Sequence, residues 1–259
     1  MLLLKKTFRS NRTLKKFLLI SLIINFTLML FGGVFIVRRG GIGYLTQQAQ
    51  SIFGLNTSQS AGTRTPEYAR RLSVHEILPI DKSSTVFLGD SIIAGVEWSE
   101  LMDDDTYLNR GIPGDDSAGV IDRLMDILNS SPDKIVMMVG VNDLHRTGDS
   151  DKLLENYKMI IETIEENSPN TELYINSILP YNVNKYDLAS TTKMSNDLIN
   201  DTNDKLRKIA EESDVNYIDL HSLLVDEKGE LQDDFTFDGL HLNGEAYIIW
   251  GEELQKFLK

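Results

Sequence analysis

Residues 134–143 read KIVMMVGVND. The run 134–139 is almost continuous in apolar side chains, too short for a typical helix, and is stopped by Gly140 and a polar tail. A strand with one wet face would alternate apolar and polar positions, so an unbroken run predicts a strand covered on both faces. Outward from it the same rhythm recurs. Upstream lie short apolar runs at 85–88, stopped by Gly89, and near 107–109; downstream lie 172–178 and 215–220. Between them the period changes to that of a helix. Asp116 can cap a helix carrying Val120, Ile121, Leu124, Ile127 and Leu128 on one face, and Leu153, Leu154, Tyr157, Ile160, Ile161 and Ile164 form a second stripe. Further helices are predicted over 67–78, 196–212 and 244–258. Strands alternating with helices demand crossover connections, which are right-handed, and so predict a doubly wound α/β domain. Its five parallel strands lie between two helix layers, a three-layer α/β/α arrangement over residues 67–259.

Ahead of that domain the composition changes. Residues 17–37 (FLLISLIINFTLMLFGGVFIV) carry no charge and are long enough at helical rise to cross a hydrocarbon core of about 30 Å. A cleavable signal would have a shorter apolar region and a small-x-small site; here Arg38 and Arg39 follow instead. The segment is therefore expected to be a transmembrane signal-anchor helix. Lys5, Lys6, Arg9, Arg12, Lys15 and Lys16 precede it, which places residues 1–16 in the cytoplasm and the domain outside. Residues 38–66 are rich in Gly, Ser, Thr and Gln and read as a flexible linker.

The net charge of −13 conceals an asymmetry: the first 71 residues hold eleven Lys or Arg against Glu67 alone, and the remainder carries a net −23. A domain so acidic repels polyanions, so nucleic acid is not an expected partner. With no cysteine in the chain, disulfides, thiolate metal sites, a cysteine nucleophile and a lipid-modified cysteine anchor are all excluded. Neither a metal nor a cofactor is expected.

In doubly wound sheets ligands bind beyond the carboxyl ends of the strands, and those positions are polar here. Strand one is followed by Gly89-Asp90-Ser91, strand two by Asn109-Arg110-Gly111, and strand three by Gly140-Val141-Asn142-Asp143; Asp238-Gly239-Leu240-His241 precedes the last helix. A serine after a strand is ordinarily a helix cap, and an asparagine or glycine there is ordinarily a turn residue. Together, however, the four pieces supply a nucleophile, a base, an orienting acid and oxyanion donors, which are the parts of an acyl-transfer site. A serine hydroxyl needs an adjacent base, and an imidazole can take its proton and later return it. Because Asp238 stands three residues before His241, one loop can deliver both. His75, His145 and His221 are alternatives, of which His145 lies just after Asn142 but lacks an aspartate at the matching distance. Asp90 and Asp143 read as loop-stabilising residues, and Asp103, Asp104 and Asp105 as a solvated turn rather than a calcium loop.

The segments VFLGDSI, LNRGIPGDD, VGVNDL, YINSILP and FDGLHLN resemble, in order and spacing, the sequence blocks of the SGNH (GDSL-like) hydrolase superfamily. The nearer likeness is to platelet-activating-factor acetylhydrolase and lysophospholipase L1-like esterases, and it covers about residues 67–259. The resemblance implies a flavodoxin-like sheet of order 2-1-3-4-5, with Ser91 as nucleophile, His241 as general base and Asp238 holding the imidazole. It also implies an oxyanion hole made by the N–H groups of Ser91 and Gly111 and the side-chain amide of Asn142. Ser91 is not in a G-x-S-x-G elbow, which argues against the α/β-hydrolase fold. The expected activity is hydrolysis of a carboxylic ester on an envelope glycan or lipid through an acyl-Ser91 intermediate. Two alternatives stay open: an O-acyltransferase working with a separate membrane partner, and a non-catalytic surface-binding module.

Overall fold

The computed structural model describes residues 65–258, together with Ser21. In chain order the elements are α1 (Pro66–Ile77), β1 (Thr85–Gly89), α2 (Ser91–Ala94), α3 (Trp98–Met102), β2 (Tyr107–Gly111), α4 (Ser117–Leu128), β3 (Lys134–Met138), α5 (Val141–Thr147), α6 (Asp151–Asn167), β4 (Glu172–Asn176), α7 (Asn196–Glu212), β5 (Asn216–Ile218), α8 (His221–Leu224), a 3-10 turn (Asp233–Phe235) and α9 (Gly244–Leu254). The strands form one sheet of order β2-β1-β3-β4-β5, and every neighbouring pair is parallel. Register is in step across the centre: Thr85 lies opposite both Tyr107 and Lys134. The strand ends that carry the polar residues are therefore brought level.

The helices begin where the sequence offers caps. Asp116 accepts from Gly119 N–H, Ser195 from Leu198 N–H and Asn243 from Ala246 N–H, starting α4, α7 and α9 respectively. On one face of the sheet α4 packs on α6 and α6 on α7, while α3 packs on α9. Right-handed crossovers put the β1–β2 connection on the face opposite the later ones, which separates these two sets into the outer layers. Beneath α3 and α9 the core is aromatic. Phe87 stacks on Trp98 at 4.0 Å, Trp98 meets Trp250 edge-on at 4.9 Å, and the Trp98 indole N–H donates to Ile93 O.

Departures from the sequence reading are local. The last strand has three residues where 215–220 was expected, because the chain turns at Asp219 and Leu220 into α8. Residues 141–147, not among the helices expected from the sequence, form the helix α5 between the special backbone of Gly140 (φ 140°) and Gly148 (φ 70°). Among the described residues no helix is long and apolar enough to cross a membrane. The expected transmembrane segment 17–37 lies outside them apart from Ser21, as do the basic segment 1–16 and all but the end of the linker 38–66.

Candidate active site

Ser91 is the first residue of α2, directly beyond β1. Asp90 caps this short helix, its Oδ1 accepting the Ile92 N–H at 2.9 Å. Complete burial pushes the Asp90 carboxyl up to about 7 against the pull of that hydrogen bond, with Asp115 and Asp143 adding to the rise. It belongs to the frame of the site. The Ser91 hydroxyl faces away from it, with Oγ 2.9 Å from His241 Nε2 across 150 positions of sequence.

The loop that delivers His241 is tied to itself. Asp238 Oδ2 lies 2.6 Å from His241 Nδ1, while Oδ1 accepts the N–H groups of Leu240 (2.9 Å) and His241 (2.8 Å). Thr236 Oγ1 donates to His241 O at 2.8 Å and accepts Gly239 N–H at 2.9 Å. Partial burial would raise the Asp238 carboxyl, but the His241 hydrogen bond and the two backbone N–H groups outweigh it and bring the pKa down to about 2. An ionised carboxylate can only accept, so Nδ1 carries the ring proton and Nε2 presents its lone pair to the serine O–H.

Asn142 stands in the first turn of α5, and one of its amide hydrogens is donated to Asp115 O at 2.8 Å. This joins it to the loop 112–116 that follows β2. The same loop is clamped elsewhere. Asp143 accepts from Ser117 N–H (3.1 Å) and Ser117 Oγ–H (2.6 Å), Asn156 Nδ2 donates to Ser117 Oγ, and Arg146 pairs with Asp116 at 2.7 Å. Burial drives the Asp143 carboxyl up to about 6, opposed by the Ser117 hydrogen bond.

Gly111 does not fit the part expected of it. Its N–H is already donated to Asn109 Oδ1 at 2.8 Å, and a Cβ there would stand 2.3 Å from Ala94 N. This glycine is required for close packing of β2 against α2, not for an open donor. Gly114, three residues on, has φ 78° and nothing within 4 Å of a Cβ position, and its N–H has no partner among the described residues. The Pro113-Gly114 turn pair is the sequence signal for this backbone.

Of the other histidines, His145 pairs Nδ1 with Thr192 Oγ1 at 2.8 Å and approaches the Tyr186 hydroxyl at 3.4 Å, so the serine's partner is His241 and not His145. Asp104 accepts from Thr106 N–H and Oγ–H in the turn before β2, with Asp103 in the left-handed region at φ 51°. Among the described residues no group of three or more His, Asp or Glu could hold a metal ion.

A sequence model of the GDSL-like lipase/acylhydrolase family matches residues 87–249, from the first strand into the last helix. The chain belongs to that family. As a GDSL-like acylhydrolase it has the expected α/β sheet, and the family acts on esters. Solved structures resemble it over most of the domain. A Streptococcus pneumonia protein named for platelet activating factor is 26% identical, with 74% of this chain and 93% of that one covered, at a TM-score of 0.68. A GDSL-like lipase from Bacteroides thetaiotaomicron is 24% identical over 73% of this chain and 95% of that one, at a TM-score of 0.64. A lipase/acylhydrolase from Enterococcus faecalis is 22% identical over 67% and 94%, at a TM-score of 0.56. The latter two establish the shared fold alone. None of the curated proteins compared matches this acylhydrolase.

Proposed function

We propose that this GDSL-like hydrolase is a serine esterase that cleaves carboxylic esters at the cell envelope, outside the cytoplasmic membrane, to which residues 17–37 anchor it. The observation that carries the chemistry is the unbroken chain from Ser91 Oγ to His241 Nε2 (2.9 Å) and from His241 Nδ1 to Asp238 Oδ2 (2.6 Å). Ser91 Oγ attacks the ester carbonyl carbon as its proton passes to Nε2. The tetrahedral oxyanion collapses, the alcohol leaves with the proton from Nε2, and an acyl-Ser91 remains. Water then repeats the sequence, releasing the acid. The negative oxygen is received by the N–H of Ser91, which has no acceptor a turn behind it in α2, by the N–H of Gly114 and by the second amide hydrogen of Asn142.

Asn142→Ala removes one of these donors, together with the hydrogen bond to Asp115 O. It should lower kcat about 10²–10³-fold with little change in KM, the pattern of a group that binds the transition state more than the substrate. Loss confined to KM would remove Asn142 from the oxyanion hole.

Hydrolase and transferase differ in what captures the acyl group, and the test is acceptor dependence. With p-nitrophenyl acetate, a hydrolase gives steady turnover that a glycan hydroxyl acceptor leaves unchanged. A transferase gives a burst stoichiometric with enzyme, slow deacylation in water, and turnover accelerated by the acceptor. We favour hydrolysis; acylated glycan as the main product would overturn that preference and keep Ser91 in the same role.

The anchored orientation rests on the six basic residues before position 17 and the uncharged run that follows. Protease added to intact cells should release an active fragment that begins within residues 40–70, where composition favours exposure. Protection of the domain until lysis would reverse the orientation.

A further inference from the structure

The block YINSILP, residues 174–180, runs out of β4 and has no part in the esterase chemistry above. The chain beyond β4 is fixed twice to α7. Asn203 accepts the Ile178 N–H through Oδ1 and donates from Nδ2 to Ile178 O, both at 2.8 Å. Asn196 does the same for Tyr181, at 3.0 and 2.9 Å. Seven residues at helical rise and three at extended rise each span about 10 Å, so the two amide pairs match a chain laid extended along the helix. The path of 178–181 is thereby tied to a long helix.

That path ends at Asn182, which is 5% exposed. Asn182 Oδ1 accepts the N–H groups of Asn184 (3.1 Å) and Lys185 (3.2 Å), and its backbone O accepts that of Tyr186 (3.0 Å). Its Nδ2 donates to Leu231 O at 3.0 Å. The turn so formed lies against the loop 236–241 that carries the base. Asn182 N–H donates to Gly239 O at 2.8 Å, and Lys185 Nζ donates to Thr236 O at 3.1 Å. The approach is close: a Cβ on Gly239, at φ 84°, would stand 2.5 Å from Tyr186 N and 2.7 Å from Asn182 O.

Hydrogen bonds inside the loop 236–241 hold Asp238 to His241, but they do not set how far His241 stands from Ser91 on another element. We propose that Asn182 is a positioning residue for the hydrolysis: its turn carries the fixed path of 178–181 to Gly239 and so keeps His241 Nε2 at 2.9 Å from Ser91 Oγ. Asn182 touches no substrate and acts through Gly239. The inference rests on the triad reading of Ser91, Asp238 and His241, and adds to it the element that holds the base within reach. A misplacement of about 1 Å between such groups can cost about 10²-fold in rate, so a remote turn can matter this much.

The test uses the full chain in mild detergent, with each variant assayed below its own thermal midpoint. Asn182→Ala removes the acceptor that shapes the turn, and should lower kcat for p-nitrophenyl acetate about 10–10²-fold with KM within about twofold of wild type. Fluorophosphonate labelling of Ser91 should slow in parallel. Asn182→Ser keeps a side-chain oxygen that can accept the turn's N–H groups but loses the donor to Leu231, and should recover kcat to within about threefold of wild type. A kcat for Asn182→Ala within about twofold of wild type, a loss in KM alone, or equal losses in the two variants would each overturn the proposal. Ser91→Ala is measured beside them. If it stays active, the triad reading falls and this inference with it; if it is inactive while Asn182→Ala is fully active, this inference alone falls. Should Asn182→Ala fail to fold, Gly239→Ala decides, because its methyl meets backbone atoms of the turn and the loop has to shift. A kcat at least about tenfold down supports the proposal, and a wild-type kcat refutes it.

Discussion

Ser91→Ala should turn over p-nitrophenyl esters at least about 10⁴-fold more slowly than the wild type, the scale of loss seen when a triad nucleophile is removed. The same variant should melt within about 2 °C of the wild type, because a lost surface-facing hydroxyl opens no cavity in the core. The structure gives both expectations the same origin: among the described residues the Ser91 side chain has one hydrogen-bond partner, His241 Nε2, and that partner sits on a loop held by Asp238 and Thr236 without it. Labelling by a fluorophosphonate should disappear with the hydroxyl. Residual activity above about a tenth of wild type would remove Ser91 from the role of nucleophile. Asp238 sharpens the reading of any pH profile. Its folded pKa of about 2 lies below the unfolded value near 3.9, so the stability it contributes is fully present above pH 4 and is lost only as pH falls through about 2. Activity lost on acidification between pH 7 and 5 is therefore not due to protonation of Asp238.

Arg123→Met should destabilise the domain by about 3–5 kcal/mol, the usual consequence of removing one member of a buried ion pair. At about 2–4 °C per kcal/mol for a domain of this size, the midpoint should fall by roughly 10 °C. Three contacts are lost at once: Asp115 Oδ2 at 2.9 Å, Arg110 O at 2.7 Å and Gly89 O at 3.0 Å. Asp115, whose carboxyl is already pushed up by burial against the pull of Arg123, is left charged and unpaired, so its pKa should rise further. A carboxyl whose folded pKa exceeds the unfolded one penalises the fold as pH rises from about 3.9 towards the folded value. The deficit of the variant should accordingly be largest at neutral pH and shrink towards pH 4, which urea titrations at the two pH values would measure. A deficit below about 1 kcal/mol at pH 7, the worth of an exposed pair, would show that Arg123 is not the internal tie described here. Activity should fall too, although Arg123 touches no substrate, since Gly89 leads into Ser91 and Asp115 follows Gly114.

Much of the architecture is written locally and could be read without coordinates. The central strands announce themselves because parallel strands buried on both faces must be apolar, as 135–138 and 86–88 are, and the caps at Asp116, Ser195 and Asn243 mark helix starts by side-chain chemistry alone. Asp238 and His241 are three residues apart, so their pairing at 2.6 Å is a property of one loop. The apolar run 17–37 is likewise a statement about length and composition, and its expected membrane role is a sequence argument only. What required the folded chain is whatever depends on which groups meet. Ser91 and His241 are 150 positions apart and reach 2.9 Å only because β1 and the loop before α9 end at the same edge of the sheet. Gly111 and Gly114 are indistinguishable as letters. Packing decides between them, since Ala94 crowds the first and Asn109 takes its N–H, while among the described residues the second has an unpartnered N–H and open space at its Cβ position. The pairing of Arg123 with Asp115, and the stranding of Arg110 and His75 beside it, follow no sequence period. They arise because α1 and α4 close over the end of β2, and burial is what leaves those ordinary polar groups to be answered within the fold.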